Sequence, residues 1–178
     1  MTFTPDTELA LRAAVALVNS AGEPDTLTSV RELDAYVRRF QYTGRHDRTR
    51  EELDAVRALR PRLRELLTAD RDRAAELVNA MLREQGAVPQ LVRHPGEDWH
   101  VHATAPDDPL ATRILIEAAM AMIDVIRADE LSRLAFCADA ACDAIVLDLS
   151  RNRSRRYCST QCGNRNAVAA YRARSAAR

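Results

Sequence analysis

Four cysteines fall between positions 137 and 162, spaced Cys137-x4-Cys142, fifteen residues, then Cys158-x3-Cys162. Two close thiol pairs joined by a short connection can supply the tetrahedral sulfur set that zinc prefers. Four free core thiols, or two disulfides, are the plainer alternatives, but neither accounts for paired spacing around a turn-rich segment. Neither pair has the two-residue spacing of thioredoxin-like redox motifs. Four thiolates would close the zinc shell and leave no position for a reacting water, so such a zinc is structural.

The second chemical feature is charge. The 26 basic residues are all arginine, and they balance 26 acids to a net charge of zero. Residues 151–178 hold Arg151, Arg153, Arg155, Arg156, Arg165, Arg172, Arg174 and Arg178 with no acid, a charge of +8. The preceding 150 residues carry 18 arginines against 26 acids, a charge of −8. A basic segment fused to an acidic body is suited to phosphate contact, because guanidinium groups displace condensed counterions from nucleic acid. Arg151, Arg153, Arg155, Arg156, Arg165, Arg172 and Arg174 are therefore the candidate DNA-binding residues. The alternatives are a solvated face, or docking of the basic segment on the acidic body.

Other chemistry is sparse. His94, His100 and His102 surround a short strand pattern, but no carboxylate pattern completes a second metal site, and they read as surface or partly buried histidines. Asn19 and Asn79 each follow Leu-Val and read as residues bonding nearby backbone. There is no nucleophile–base arrangement, P-loop or dinucleotide glycine fingerprint, so no catalytic residue is assigned.

The elements that would hold these residues are mostly helices. Apolar spacing of 3.6 predicts helices over 6–21, from about 28 to a stop before Gly44, over 49–68 and over 70–84. Ser29 and Glu32 have capping-box spacing, and Pro61 should kink or break the third helix. Residues 88–94 and 99–103 read as a hairpin with Pro95 and Gly96 in its turn. A long apolar helix, with Asp at its cap and Pro in its first turn, should run from about 110 to 134 as the central core element. In the finger, 145–149 and 155–158 read as paired strands, Asn152 as the left-handed turn residue, and 163–174 as a helix. The whole is a mainly α protein: a helical domain with a small β-hairpin (1–135) and a small C-terminal treble-clef-like zinc finger (136–178). An apolar fraction of 47% supports a real core, and no uncharged run is long enough to span a membrane. The N-terminus lacks a secretion-signal pattern, so a reducing, cytoplasmic setting is expected.

The segment Cys158-Ser159-Thr160-Gln161-Cys162-Gly163-Asn164-Arg165, preceded by Asp148 to Tyr157, closely resembles the CGNR zinc-finger family. Leu17-Val18-Asn19, the arginine-leucine run 59–67 and Leu77-Val78-Asn79 resemble the domain that usually precedes that finger, described as a stress-induced transcription regulator. Tyr157 stands where the family usually has Trp, Leu147 where Phe is frequent, and Asn166 where Lys is common. The resemblance implies a bacterial, zinc-dependent, DNA-binding regulator with one zinc ion. The helical domain would then sense a small-molecule effector or mediate homodimerisation. A protein-interaction adaptor, docking a partner protein through the finger, is the competing class, and an enzyme with a site in the helical domain a third.

Overall fold

The computed structural model describes residues 3–93 and 99–176. Five helices come first: α1 (Pro5–Asn19), α2 (Val30–Arg39), α3 (Arg50–Ala58), α4 (Arg60–Thr68) and α5 (Arg71–Glu84). An antiparallel hairpin follows, β1 (Gln90–Val92) and β2 (His100–His102), then the long helix α6 (Leu110–Arg127). A 3-10 turn (Leu131–Arg133), strands β3 (Leu134–Phe136) and β4 (Ile145–Leu147), and α7 (Thr160–Ala176) complete the chain order. The mainly helical fold read from the sequence is the fold observed. Among the described residues no helix is long and apolar enough to cross a membrane.

Helix α6 is the centre. Ile114, Leu115, Ile116, Ala118, Ala119 and Met122 are all buried along it, and it packs chiefly on α1 and α5. Two polar contacts fix the neighbours: Thr7 donates to Asp124 across α1 and α6 (2.6 Å), and the Tyr36 hydroxyl donates to the Ala13 carbonyl across α2 and α1 (3.1 Å).

Local chemistry sets the helix ends. The Ser29–Glu32 capping box is formed, and the Thr49 and Asp70 side chains accept from the third amide of their helices. The 49–68 pattern divides at Leu59, placing Pro61 in the first turn of α4, where a missing N–H costs no hydrogen bond. Asp25 accepts from Arg57 and Arg60 beside this break, and Arg60 holds its carboxyl far below the ordinary range.

Four details depart from the sequence reading. The α6 cap is Pro109 itself, without a side-chain bond, while the Asp108 carboxylate accepts from the Ala105 amide. Helix α6 stops at Arg127, because Asp129 takes a left-handed φ of 56° and Glu130 N–H donates back to Val125. This is a Schellman closure with aspartate where glycine is usual. The hairpin β1–β2 is shorter than expected, and His94, Pro95 and Gly96 lie outside the described residues. Finally, β4 pairs with β3, ahead of the first cysteine, rather than with 155–158. Instead, the Asp148 carboxylate accepts from the Ser150 and Arg155 amides, and Arg133 donates to the Asp148 and Ser150 carbonyls, which holds residues 148–155.

Candidate metal centre and arginine surface

Strands β3 and β4 bracket the loop that carries Cys137 and Cys142. Cys137 N–H donates to Ala144 O, closing the base of the loop, and Cys142 N–H donates to Asp139 O. Asp139 shapes the interior: its carboxylate accepts from the Ala141 amide (3.1 Å), two residues on. The second pair sits at the start of α7. Ser159 caps that helix by accepting from the Cys162 amide (3.2 Å), and Cys158 N–H points at Cys137 Sγ (3.5 Å).

These contacts bring the four Sγ atoms within 4.8 Å of one another, with Cys142–Cys158 and Cys158–Cys162 each at 3.6 Å. A tetrahedron with Zn–S bonds of about 2.3 Å has S···S edges of about 3.8 Å, so the donor set fits zinc. Burial, then the adjacent thiols, push Cys158 up to about 12. Four thiolates at this spacing repel one another, and a divalent cation among them relieves that repulsion.

Arg165 completes the cluster. Its Nε donates to Asp139 (2.6 Å), while Nη2 lies 3.4 Å from Cys162 Sγ. The Ala141 amide and then Arg165 hold Asp139 below the usual carboxylate range. Asp148 plays the matching part below the zinc loop. Burial alone would raise its pKa, but bonds from Ser150 and Arg155 bring it below the ordinary value.

A family model named ABATE, "Putative stress-induced transcription regulator", matches residues 11–129. The chain belongs to that family. A second model, the CGNR zinc finger, matches residues 133–175. The ABATE match ends at the left-handed Asp129, and the finger match begins at the 3-10 turn. The search of curated proteins returned no match. This ABATE protein thus carries a CGNR finger whose four cysteines are arranged to bind one metal ion, consistent with one structural Zn²⁺. Among the described residues no other His, Cys, Asp and Glu group could hold a metal.

The structure sorts the seven candidate arginines into two kinds. Arg153, Arg155 and Arg165 are tied into the finger: Arg153 to Glu130 (2.8 Å) and Ser132, Arg155 to the Tyr157 and Cys158 carbonyls, Arg165 to Asp139. Arg153, not Asn152, takes the left-handed turn position (φ 48°). Arg151, Arg156, Arg172 and Arg174 are exposed and have no side-chain partner among the described residues. Arg172 and Arg174 lie on α7, which also carries exposed Val168 and Tyr171.

The ABATE body holds the finger through residues with separate origins in the chain. Asn19, at the end of α1, donates through Nδ2 to Ile145 O and accepts from Ile145 N, both at 2.8 Å. It therefore bonds distant backbone, not the nearby backbone expected, while Asn79 is exposed. Arg64 donates to Asp143 O (2.6 Å) and lies over the Phe136 ring. Ile145 and Leu147 enter the helical core, whereas Val146 between them packs with Cys137 and Cys162. Sequence reading missed Asp139, Asp148, Glu130 and Arg133 as finger organisers. The two aspartates carried a usable signal, since each precedes by two residues an amide that its side chain accepts.

Proposed function

We propose that this ABATE protein is a zinc-dependent, DNA-binding transcriptional regulator, stress-responsive as the family description suggests. Arg151, Arg156, Arg172 and Arg174 make its backbone contacts. One observation carries the reading: among the described residues these four exposed cations have no side-chain partner, and the sequence has no acidic residue beyond position 148. Exposed guanidinium groups on a zinc-anchored scaffold neutralise phosphates, while side chains further along the same surface reach base edges. Arg153, Arg155 and Arg165 support the finger in this scheme and contribute to DNA contact through the charge they leave on its surface. The finger (136–178) is the contacting part, and the helical body (1–135) senses a signal or oligomerises.

The test is DNA binding by the zinc-loaded protein as a function of salt, using fragments selected from genomic DNA. Replacing Arg151, Arg156, Arg172 and Arg174 together by Ala should weaken binding to every sequence. The slope of log affinity against log salt should fall by about 3–4, at roughly 0.9 for each phosphate no longer neutralised. Zinc should be retained, because none of the four side chains touches the sulfur cluster. Unchanged affinity and slope would overturn the reading. Exposed Val168 and Tyr171 would then favour the second reading, an adaptor whose α7 docks a partner protein.

A further inference from the structure

Away from the finger, the hairpin β1–β2, the end of α5 and one side of α6 line a half-open cavity of about 580 Å³. That volume lies in the range of small-molecule sites. Its rim is held in a fixed shape. Gly86 closes α5 with a left-handed φ of 60°. Gly44, at φ 86°, lies so close to the Pro106 carbonyl that a Cβ there would meet the oxygen at 2.3 Å. Arg45 N–H donates to the same carbonyl (2.7 Å). Arg113, buried on α6, donates from all three of its nitrogens to the carbonyls of Thr43, Arg45 and Asp108. This cation is therefore committed to the rim.

One turn further along α6, Glu117 also lines the cavity. It has no hydrogen-bond or ion-pair partner among the described residues, and burial pushes it up to about 7 despite the attraction of Arg113. Glu117 is half-buried rather than sealed from solvent, and a partly desolvated carboxylate without a partner gains from hydrogen bonds or a cation. The remaining walls are mixed: Val88, Val92 and Ala103 are apolar, while Gln90 and Thr104 can hydrogen-bond. Two carboxylates, Glu117 and Asp108, line the cavity against one guanidinium already bonded to rim carbonyls and the imidazole of His102, a balance that favours a positive ligand over an anion.

We propose that this cavity binds a small organic ammonium compound, its nitrogen on the Glu117 carboxylate and its hydrocarbon part against Val88 and Val92. The site gives the helical body a defined effector chemistry. It does not depend on what the finger binds, and its test reads the cavity alone.

The experiment is an amide-resolved NMR titration of the full zinc-loaded chain with phenethylamine, with 3-phenylpropionate and 2-phenylethanol as controls of similar size. Phenethylamine should produce saturable shifts at Gly86, Thr104 and the amides flanking Glu117, and 3-phenylpropionate should not. Glu117→Gln should weaken binding by about tenfold or more, since a charge pair is removed, while leaving the thermal midpoint unchanged or higher. Val88 is exposed on the rim, so Val88→Arg keeps the fold, and the charge placed there should weaken binding comparably. The proposal is overturned if phenethylamine shifts do not saturate or 3-phenylpropionate binds equally well. It is also overturned if the affinity of the Val88→Arg protein is that of the parent.

Discussion

Replacing Asn19 by alanine probes the attachment between body and finger. The Asn19 amide satisfies both backbone groups of Ile145, a residue only 1% exposed. In the alanine variant one buried N–H and one buried C=O are left without partners, at about 1–3 kcal/mol each. Better helix propensity at the α1 terminus returns about 0.5 kcal/mol, and partial water entry lowers the rest, leaving a net loss of about 2–3 kcal/mol. For 178 residues, an unfolding entropy of about 2.1 cal/mol/K per residue converts this to a drop of about 5–8 °C in midpoint. Differential scanning calorimetry of the zinc-loaded protein measures it directly. Asn19→Asp is the informative companion. It keeps an acceptor for Ile145 N–H but sets a carboxylate oxygen against Ile145 O, and should lose at least as much stability at neutral pH. A midpoint within about 1 °C of the parent for Asn19→Ala, with unchanged hydrogen exchange at the Ile145 amide, would refute the attachment.

Three further outcomes follow from the same structure. Cys142→Ser should lose zinc by metal analysis and disorder the finger while the body stays helical; full zinc occupancy in that variant would dismiss the four-cysteine set. Asp25 is held well below its ordinary pKa of 3.8, first by Arg60. Its stabilisation is therefore present above about pH 4 and lost as pH falls below it, and Asp25→Asn should flatten that acid limb. A chain ending at Ala135 should still unfold cooperatively. It should melt lower than the full protein, however, because burial of Ile145 and Leu147 contributed about 3–6 kcal/mol. A molten body would show that the two parts fold only together.

Much of this was written locally. The Ser29–Glu32 box, the break before Pro61 and the cysteine spacing each depend on residues within a turn or two of one another, where propensity and ligand geometry act directly. The errors share the opposite origin. The pattern 128–134 continues the apolar period of α6, and only a left-handed aspartate, with no glycine to announce it, ends the helix. Strand β3 begins at the last residue of that apparent continuation and was not read as a strand, so β4 was matched with the wrong partner. Asn19 and Ile145 lie 126 positions apart, and no spacing rule connects them. The arginine surface was legible as charge alone. Which guanidinium groups are free depends on Glu130 and Asp139, whose roles appear only once the loop is folded around them.

Strand β4 turns alternate side chains to two different interiors, Ile145 and Leu147 to the helices and Val146 to the sulfurs. Mechanically it is a keyed joint, with no slack layer between α1 and the base of α7. A 17-residue α7 is an arm of about 25 Å at 1.5 Å per residue. A tilt of about 5° imposed on β4 therefore displaces its far end, where Arg172 and Arg174 sit, by about 2 Å. Small rotations of the helical body are delivered to the arginines as displacements comparable to the length of a hydrogen bond.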